Sequence, residues 1–125
     1  MTIQEALDLA DQMKPNMLPR PVKIRFLNEL EGMIHEEILM RHEHTEEEET
    51  RPEYGTETDP GTELLVPSPY DMVYVYWLMS RIDHVNMEMD KYNNDRLLFE
   101  NAYQQAGDWW NRTKMPIQTV REIRI

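Results

Sequence analysis

The clearest pattern in the sequence is a stripe of apolar side chains that recur at alternating spacings of three and four between Ser68 and Thr113. This spacing is typical of an amphipathic helix. The stripe consists of Val75, Leu78, Ile82, Val85, Met89, Tyr92, Phe99, Tyr103, Ala106 and Trp110, with Arg96 as its charged member. Ser68 and Asp71 predict a capping box at its start, with Pro69 in the first helical position.

The stripe predicts a long C-terminal helical region that covers residues 69–92 and 94–113. Asn93, Asn94 and Asp95 could end one helix and cap the next, but no proline breaks the region, and we expect it to be continuous or merely kinked there. A continuous helix would be roughly 65 Å long at 1.5 Å per residue. A chain of 125 residues is too small to cover such a stripe, so we expect other protein surfaces to cover part of it.

Two shorter helices are predicted before this region. Thr2 and Glu5 form a capping box for a helix over about 3–14, which Pro15 ends. After a stiff proline-rich connector, a second amphipathic helix is predicted over about 21–41. Gly32 lies inside it at a cost of about 1 kcal/mol relative to Ala, which usually indicates close approach of another backbone.

The stretch from 42 to 67 differs from the rest because it is rich in acidic residues, proline and glycine, and has few apolar residues before Leu64. A stretch of this kind contributes no core, so little burial energy offsets its ordering entropy. We interpret it as an extended acidic arm or loose hairpin that becomes ordered only on assembly. A short strand is predicted over 63–66.

The C-terminal segment, 116–125, places alternate apolar side chains on one side of an extended chain, which predicts a strand-like tail. We expect it to extend a neighbour's sheet edge or to pair with 63–66. Trp109 and Trp110 point about 100° apart, so one could lie in the core and the other in an interface, or both could lie in the core. The predicted interface residues are Tyr54, Leu64, Leu65, Val66, Trp109, Trp110, Ile117, Val120, Ile123 and Ile125.

Length and charge narrow the possible functions. The 125 residues predict one all-α helical domain over 1–125. Thirteen Lys and Arg stand against 24 Asp and Glu, and a net charge of −11 disfavours binding to a phosphate backbone. There are no cysteines for disulfide or thiolate chemistry. Because the N-terminus lacks a signal-peptide pattern and no apolar run approaches 18 residues, we expect a protein made in the cytoplasm without membrane contact.

Candidate chemistry is sparse. His42, Glu43 and His44 precede a run of four glutamates, but we interpret this stretch as solvated charge because metal ligands must be fixed in space. His35 is expected to form a helical ion pair with Glu31. The polar set of Asp83, His84 and Glu88 is interpreted as helix surface. We therefore expect no enzyme, no cofactor and no metal.

The order of elements, together with TELLVPSPYDMVYVYWLMSRIDHVNMEMDKYNND and FENAYQQAGDWWNRTKMP, resembles small proteins from the structural modules of tailed phages and prophages. The helical order is also similar to head-tail connector proteins, the head-completion or adaptor subunits. The resemblance implies an all-α subunit of a homo-oligomeric ring in the virion neck, between the portal protein and stopper or tail-completion proteins, with DNA passing through. The resemblance implies no catalytic residues. The acidic arm of this sequence departs from the usual connector pattern.

A second class of function remains open. The acidic arm could mimic nucleic acid and occupy the basic surface of a DNA-binding protein, which would make the chain an inhibitor or regulatory module. This alternative predicts a one-to-one complex and no ring. Neighbouring genes would separate the two: portal, capsid and tail genes favour the connector, and a transcription or defence locus favours the inhibitor.

Overall fold

The computed structural model describes residues 1–117, and over this range the chain is a bundle of four helices. The helices are α1 (Ile3–Met13), α2 (Arg20–Glu37), α3 (Met72–Val85) and α4 (Met89–Thr113). Two short 3-10 turns, Leu39–Arg41 and Glu47–Glu49, lie between α2 and α3. The described residues contain no strand, and their β pairing is limited to two isolated bridges. The prediction of an all-α protein is thus confirmed.

The start of α1 follows the sequence prediction. Thr2 Oγ1 accepts a hydrogen bond from the Glu5 N–H at 3.1 Å, and the Glu5 carboxylate accepts one from the Thr2 N–H at 3.2 Å. This reciprocal pair is a capping box, which satisfies two N–H groups that the helix leaves free. The apolar face of α1 is buried through Ile3, Ala6, Leu7 and Ala10.

The prediction of one long helical region is wrong, because the chain reverses direction at residues 86–88. α3 ends at Val85 and α4 begins at Met89. Met87 lies in the turn with a φ of 59°, in the left-handed region. The predicted break at Asn93–Asp95 lies inside α4 instead. Val85 and Met89 keep the helical spacing across the turn, so periodicity gave no sign of the reversal.

The reversal folds the apolar stripe onto itself. Trp77 of α3 and Phe99 of α4 pack with their ring centroids 5.0 Å apart. Buried stripe residues come from both helices: Val75, Leu78, Ile82, Phe99, Ala106 and Trp110. Exposed stripe residues, Val85 and Met89, lie beside the turn. The expectation that this stripe exceeds what its own chain can cover is therefore wrong for most of its length.

The N-terminus of α3 is also built differently from the prediction. Asp71 is the N-cap residue but makes no side-chain capping bond, and the Ser68–Pro69 peptide is cis. The Asp71 carboxylate instead accepts a 2.8 Å hydrogen bond from the amino group of Met1. The predicted Ser68–Asp71 capping box is therefore wrong.

The connection between α2 and α3 packs against its own chain. The Ile3 N–H donates to the Thr62 carbonyl, and the Leu64 N–H donates to the Met1 carbonyl, both at 3.0 Å. Glu63 forms an isolated bridge with Thr2 in place of the predicted strand. Leu64 is buried, as is Val66 two residues later. The expectation that this stretch contributes nothing to the core is thus wrong at its C-terminal end.

Gly32 has a different partner from the one we expected. A Cβ at this position would meet the guanidinium of Arg51, so an arginine side chain is the nearest neighbour above the helix. α2 also ends at Glu37, earlier than the predicted residue 41, and continues as the 3-10 turn Leu39–Arg41.

The described start of the predicted tail pairs with the residues that follow α2. Pro116 forms an antiparallel bridge with His42, and the Ile117 N–H donates to the Arg41 carbonyl at 2.9 Å. This pairing replaces the expected one between the tail and 63–66 for the residues up to 117. The other predicted tail positions, Val120, Ile123 and Ile125, lie outside the described residues.

Candidate functional site

A buried carboxylate, Glu31 of α2, is the centre of a polar cluster in the core. Its Oε2 accepts hydrogen bonds from the Tyr54 hydroxyl at 2.8 Å and the Leu65 N–H at 2.9 Å. Its Oε1 accepts a 2.6 Å hydrogen bond from the Tyr74 hydroxyl. The Tyr74 oxygen in turn accepts one from the Val66 N–H at 2.9 Å. One carboxylate thus attaches the acidic connection to both α2 and α3.

Burial raises the pKa of Glu31, and the three donated hydrogen bonds and nearby His35 oppose this increase. Burial and the Glu31 carboxylate raise the pKa of Tyr74 well above its usual value, so the hydroxyl remains a donor. Every strong polar group of the cluster therefore has a partner. Full pairing of buried polar groups is typical of a structural anchor in the core.

The predicted ion pair between His35 and Glu31 is wrong. The His35 Nε2 lies 2.7 Å from the carbonyl oxygen of Glu48, which attaches the acidic turn to α2. Sequence reasoning missed the Glu31 cluster because its donors lie 23, 34 and 43 residues away. The sequence contained one indication of this cluster, which is that Glu31 lies on the apolar side of α2.

A second ionic cluster joins α1, α3 and α4. Lys14 Nζ lies 3.2 Å from Asp83 Oδ1 and 3.1 Å from Asp95 Oδ2. Asp83 is 1% exposed. Its burial and the neighbouring Asp95 carboxylate raise the pKa of Asp83 to about 6, which Lys14 opposes in part. The interpretation of Asp83 as helix surface is therefore wrong.

The two aspartates and the lysine hold the end of α1 against the turn between α3 and α4. Burial alone would lower the pKa of Lys14, but its hydrogen bonds to Asp95 and Asp83 raise it. Sequence spacing could not identify this cluster. Lys14, Asp83 and Asp95 come together only because the chain reverses direction at 86–88. Their neighbours in the polar set, His84 and Glu88, are exposed or half-buried as expected.

The histidines and the glutamate run have different surroundings in the structure. Among residues 1–117 no group of three or more metal-ligating side chains converges. The ring nitrogens of His42 lie 2.7 Å from the Ile38 carbonyl and 2.7 Å from Asn111 Oδ1. His42 is thus buried between α2 and α4, whereas Glu46–Glu49 are exposed.

An open groove of about 530 Å³ lies between the end of α2 and the end of α4. Its lining includes Ile38, Met40, His42, Gly107 and Ile117. Nothing lies within 4 Å of the position that a Cβ on Gly107 would occupy. The groove is open, and Glu37, Arg41 and Asn111 add polar groups to its lining. The described residues that line it include no serine, threonine, cysteine or lysine.

The structure places most of the predicted interface residues inside the subunit. Leu64, Val66 and Trp110 are buried, and Tyr54, Leu65 and Trp109 are partly buried against the core. Of the predicted set, Ile117 is exposed. Sequence reasoning identified these side chains as apolar but could not show that the chain covers them itself.

A different set of apolar side chains is exposed at one end of the bundle. Lys14 brings the end of α1 against the α3–α4 turn, so the residues around both lie at the same end. Met17 is 98% exposed and Met87 is 83% exposed. We call this set the methionine end, and it consists of Met13, Met17, Val85, Met87 and Met89.

Comparison of the chain with protein-family models, with curated proteins and with solved structures finds no match. Within residues 1–117, no helix combines the length and the apolar character needed to cross a membrane.

Proposed function

We propose that this chain is a non-enzymatic structural protein of a tailed-phage particle. Its role would be that of a head-tail connector subunit, which forms a homo-oligomeric ring in the virion neck after synthesis in the host cytoplasm. The portal protein would contact the ring on one side and stopper or tail-completion proteins on the other. The sequence resemblance to small phage structural-module proteins supports this function, and so does the helical fold.

The methionine end is the structural observation on which the proposal depends. Single exposed apolar residues are common on protein surfaces, but several at one end of a small domain are typical of a contact surface. Methionine suits such a surface because its flexible, polarizable side chain adapts to the shape of a partner. The chain covers most of its helical stripe, so the methionine end is apolar surface that remains for another protein.

The charge of the chain suits a ring through which DNA passes. A net charge of −11 repels the phosphate backbone, so the subunit would not retain DNA during packaging or ejection. No cofactor or metal takes part in this function. We propose no sequence-specific nucleic-acid binding and no membrane contact.

The proposal is tested by measuring assembly and partner binding. Sedimentation velocity and negative-stain images of the purified protein should show closed rings, and portal protein mixed with the rings should bind to one face. A Met17→Ser/Met87→Ser variant should keep the fold, since both side chains are exposed, and should lose portal or tail-component binding. Leu97→Ser is the matched control, because Leu97 is 61% exposed on α4 outside the methionine end.

The exposed acidic turn favours a second candidate, the nucleic-acid-mimicking inhibitor. Four consecutive glutamates, Glu46 to Glu49, are exposed on a turn that His35 attaches to α2. A fixed row of carboxylates can imitate phosphates on a basic protein surface. A monomer at high concentration that forms a one-to-one complex with a DNA-binding protein would support this candidate and contradict the connector.

A further inference from the structure

Two arginines lie over buried aromatic rings where α2, α3 and α4 meet. The Arg81 guanidinium carbon lies 5.0 Å from the centroid of the Phe26 ring and 5.6 Å from that of Trp77. Arg96 lies 5.5 Å from the centroid of Phe99, and Trp77 packs on Phe99. Cation–π contacts of this kind fix the direction of an arginine. We call Phe26, Trp77, Arg81, Arg96 and Phe99 the arginine patch.

Arg81 has spare binding capacity. Its Nε is buried without a hydrogen-bond partner among the described residues, and within the same residues it forms no ion pair. Arg96 uses its Nε for an exposed pair with Glu100 at 3.1 Å. An arginine carries five N–H donors, so both side chains can still donate hydrogen bonds to a carboxylate.

The acidic turn, Glu46 to Glu49, lies on the other side of α2. The connection that carries this turn contacts α2 at Asn28, Gly32 and His35, which share one face of the helix. Phe26 and His35 are nine residues apart, which places them about 180° apart around the helix axis. One subunit therefore cannot bring its own acidic turn to its own arginine patch.

We propose that the arginine patch of one subunit binds the acidic turn of a second copy of this chain. This inference rests on the proposed ring, whose subunit contact it names. Charge complementarity supports it: the turn presents exposed carboxylates and the patch presents arginines oriented by aromatic rings. Two different surfaces on opposite sides of one subunit make a heterologous contact, and repetition of such a contact closes a ring when the rotation allows it.

A charge-exchange experiment tests the contact. Variant A carries Arg81→Glu/Arg96→Glu, and variant B carries Glu46→Lys/Glu47→Lys. Glu48 is left unchanged because it accepts a hydrogen bond from the Thr45 N–H. Each variant alone places like charges in the contact, so its self-association should weaken at least about tenfold at 0.1 M salt. An equimolar mixture should assemble with alternating subunits, because every contact then joins opposite charges.

The matched control is Lys91→Glu/Arg112→Glu, which changes the net charge as much as variant A does. It should assemble like the unchanged protein, and circular dichroism should confirm that all variants fold. Rings that persist in A and in B, or a mixture that stays dissociated, would overturn the contact while leaving the proposed ring intact. An unchanged protein that remains monomeric would overturn both.

Discussion

Tyr74 of α3 donates a 2.6 Å hydrogen bond to the carboxylate of Glu31 in α2, and both side chains are fully buried. The same carboxylate accepts hydrogen bonds from Tyr54 and Leu65. The acidic connection is therefore attached to the helical core inside a single subunit. The exposed turn is attached to the same subunit as well, because His35 Nε2 lies 2.7 Å from the Glu48 carbonyl, so the expected ordering on assembly has no support from these contacts.

Glu31→Ala should lower the free energy of unfolding by about 3–5 kcal/mol, since it leaves three donors without their acceptor in the core. Chemical denaturation monitored by tryptophan fluorescence measures this change. Glu36→Ala is the control, because Glu36 is exposed on the same helix, and it should change stability by less than about 0.5 kcal/mol. Similar losses in both variants would contradict the anchoring role.

Asp83→Asn should stabilise the protein at neutral pH. The folded-state pKa of about 6 lies above the ordinary value of 3.8, so the unfolded state releases this proton first. The contribution of Asp83 to stability is present at low pH and declines as pH rises from about 4 to about 6. Over this pH range, the contribution of Asp83 to the free energy of unfolding declines by about 2–3 kcal/mol.

The stability difference between Asp83→Asn and the unchanged protein should therefore be near zero at pH 4 and reach its plateau above pH 6. Urea denaturation at several pH values measures it. Asp90→Asn on the exposed start of α4 is the control and should show no such rise. A difference independent of pH would show that Asp83 does not titrate in this range.

Met87→Gly should stabilise the isolated subunit by about 0.5–1 kcal/mol. Met87 has a φ of 59°, and a side chain in this left-handed conformation costs about 1–2 kcal/mol, which exceeds the entropic cost of glycine. Met87→Ala is the matched control because it removes the same apolar surface and keeps the strain. If both variants gain equally in thermal denaturation, the backbone is not the cause.

Gly107→Ala should stabilise α4 by about 1 kcal/mol, because alanine favours a helix and the space at its Cβ is open. Gly32→Ala should gain less, since its methyl group would displace the Arg51 side chain. Comparing the two variants by chemical denaturation shows how the space around the new methyl group affects the free energy of unfolding. A loss of stability in Gly107→Ala would contradict the open space at this position.

Local patterns in the sequence determined the parts of the fold that depend on near neighbours. Thr2 and Glu5 are three residues apart, so their capping box could be predicted and is confirmed. Apolar periodicity likewise predicted helices, because the side chains that share a face lie three or four residues apart. The acidic character of residues 46–49 also followed directly from the sequence.

Tertiary structure alone decided where the chain reverses and which polar groups meet. Val85 and Met89 continue the helical spacing across the turn. A pattern that repeats every three or four residues therefore does not show where the chain changes direction. Lys14 lies 69 residues from Asp83. Such contacts depend on the three-dimensional path of the chain, because hydrogen bonds and ion pairs act over a few ångströms and carry no signature in local spacing.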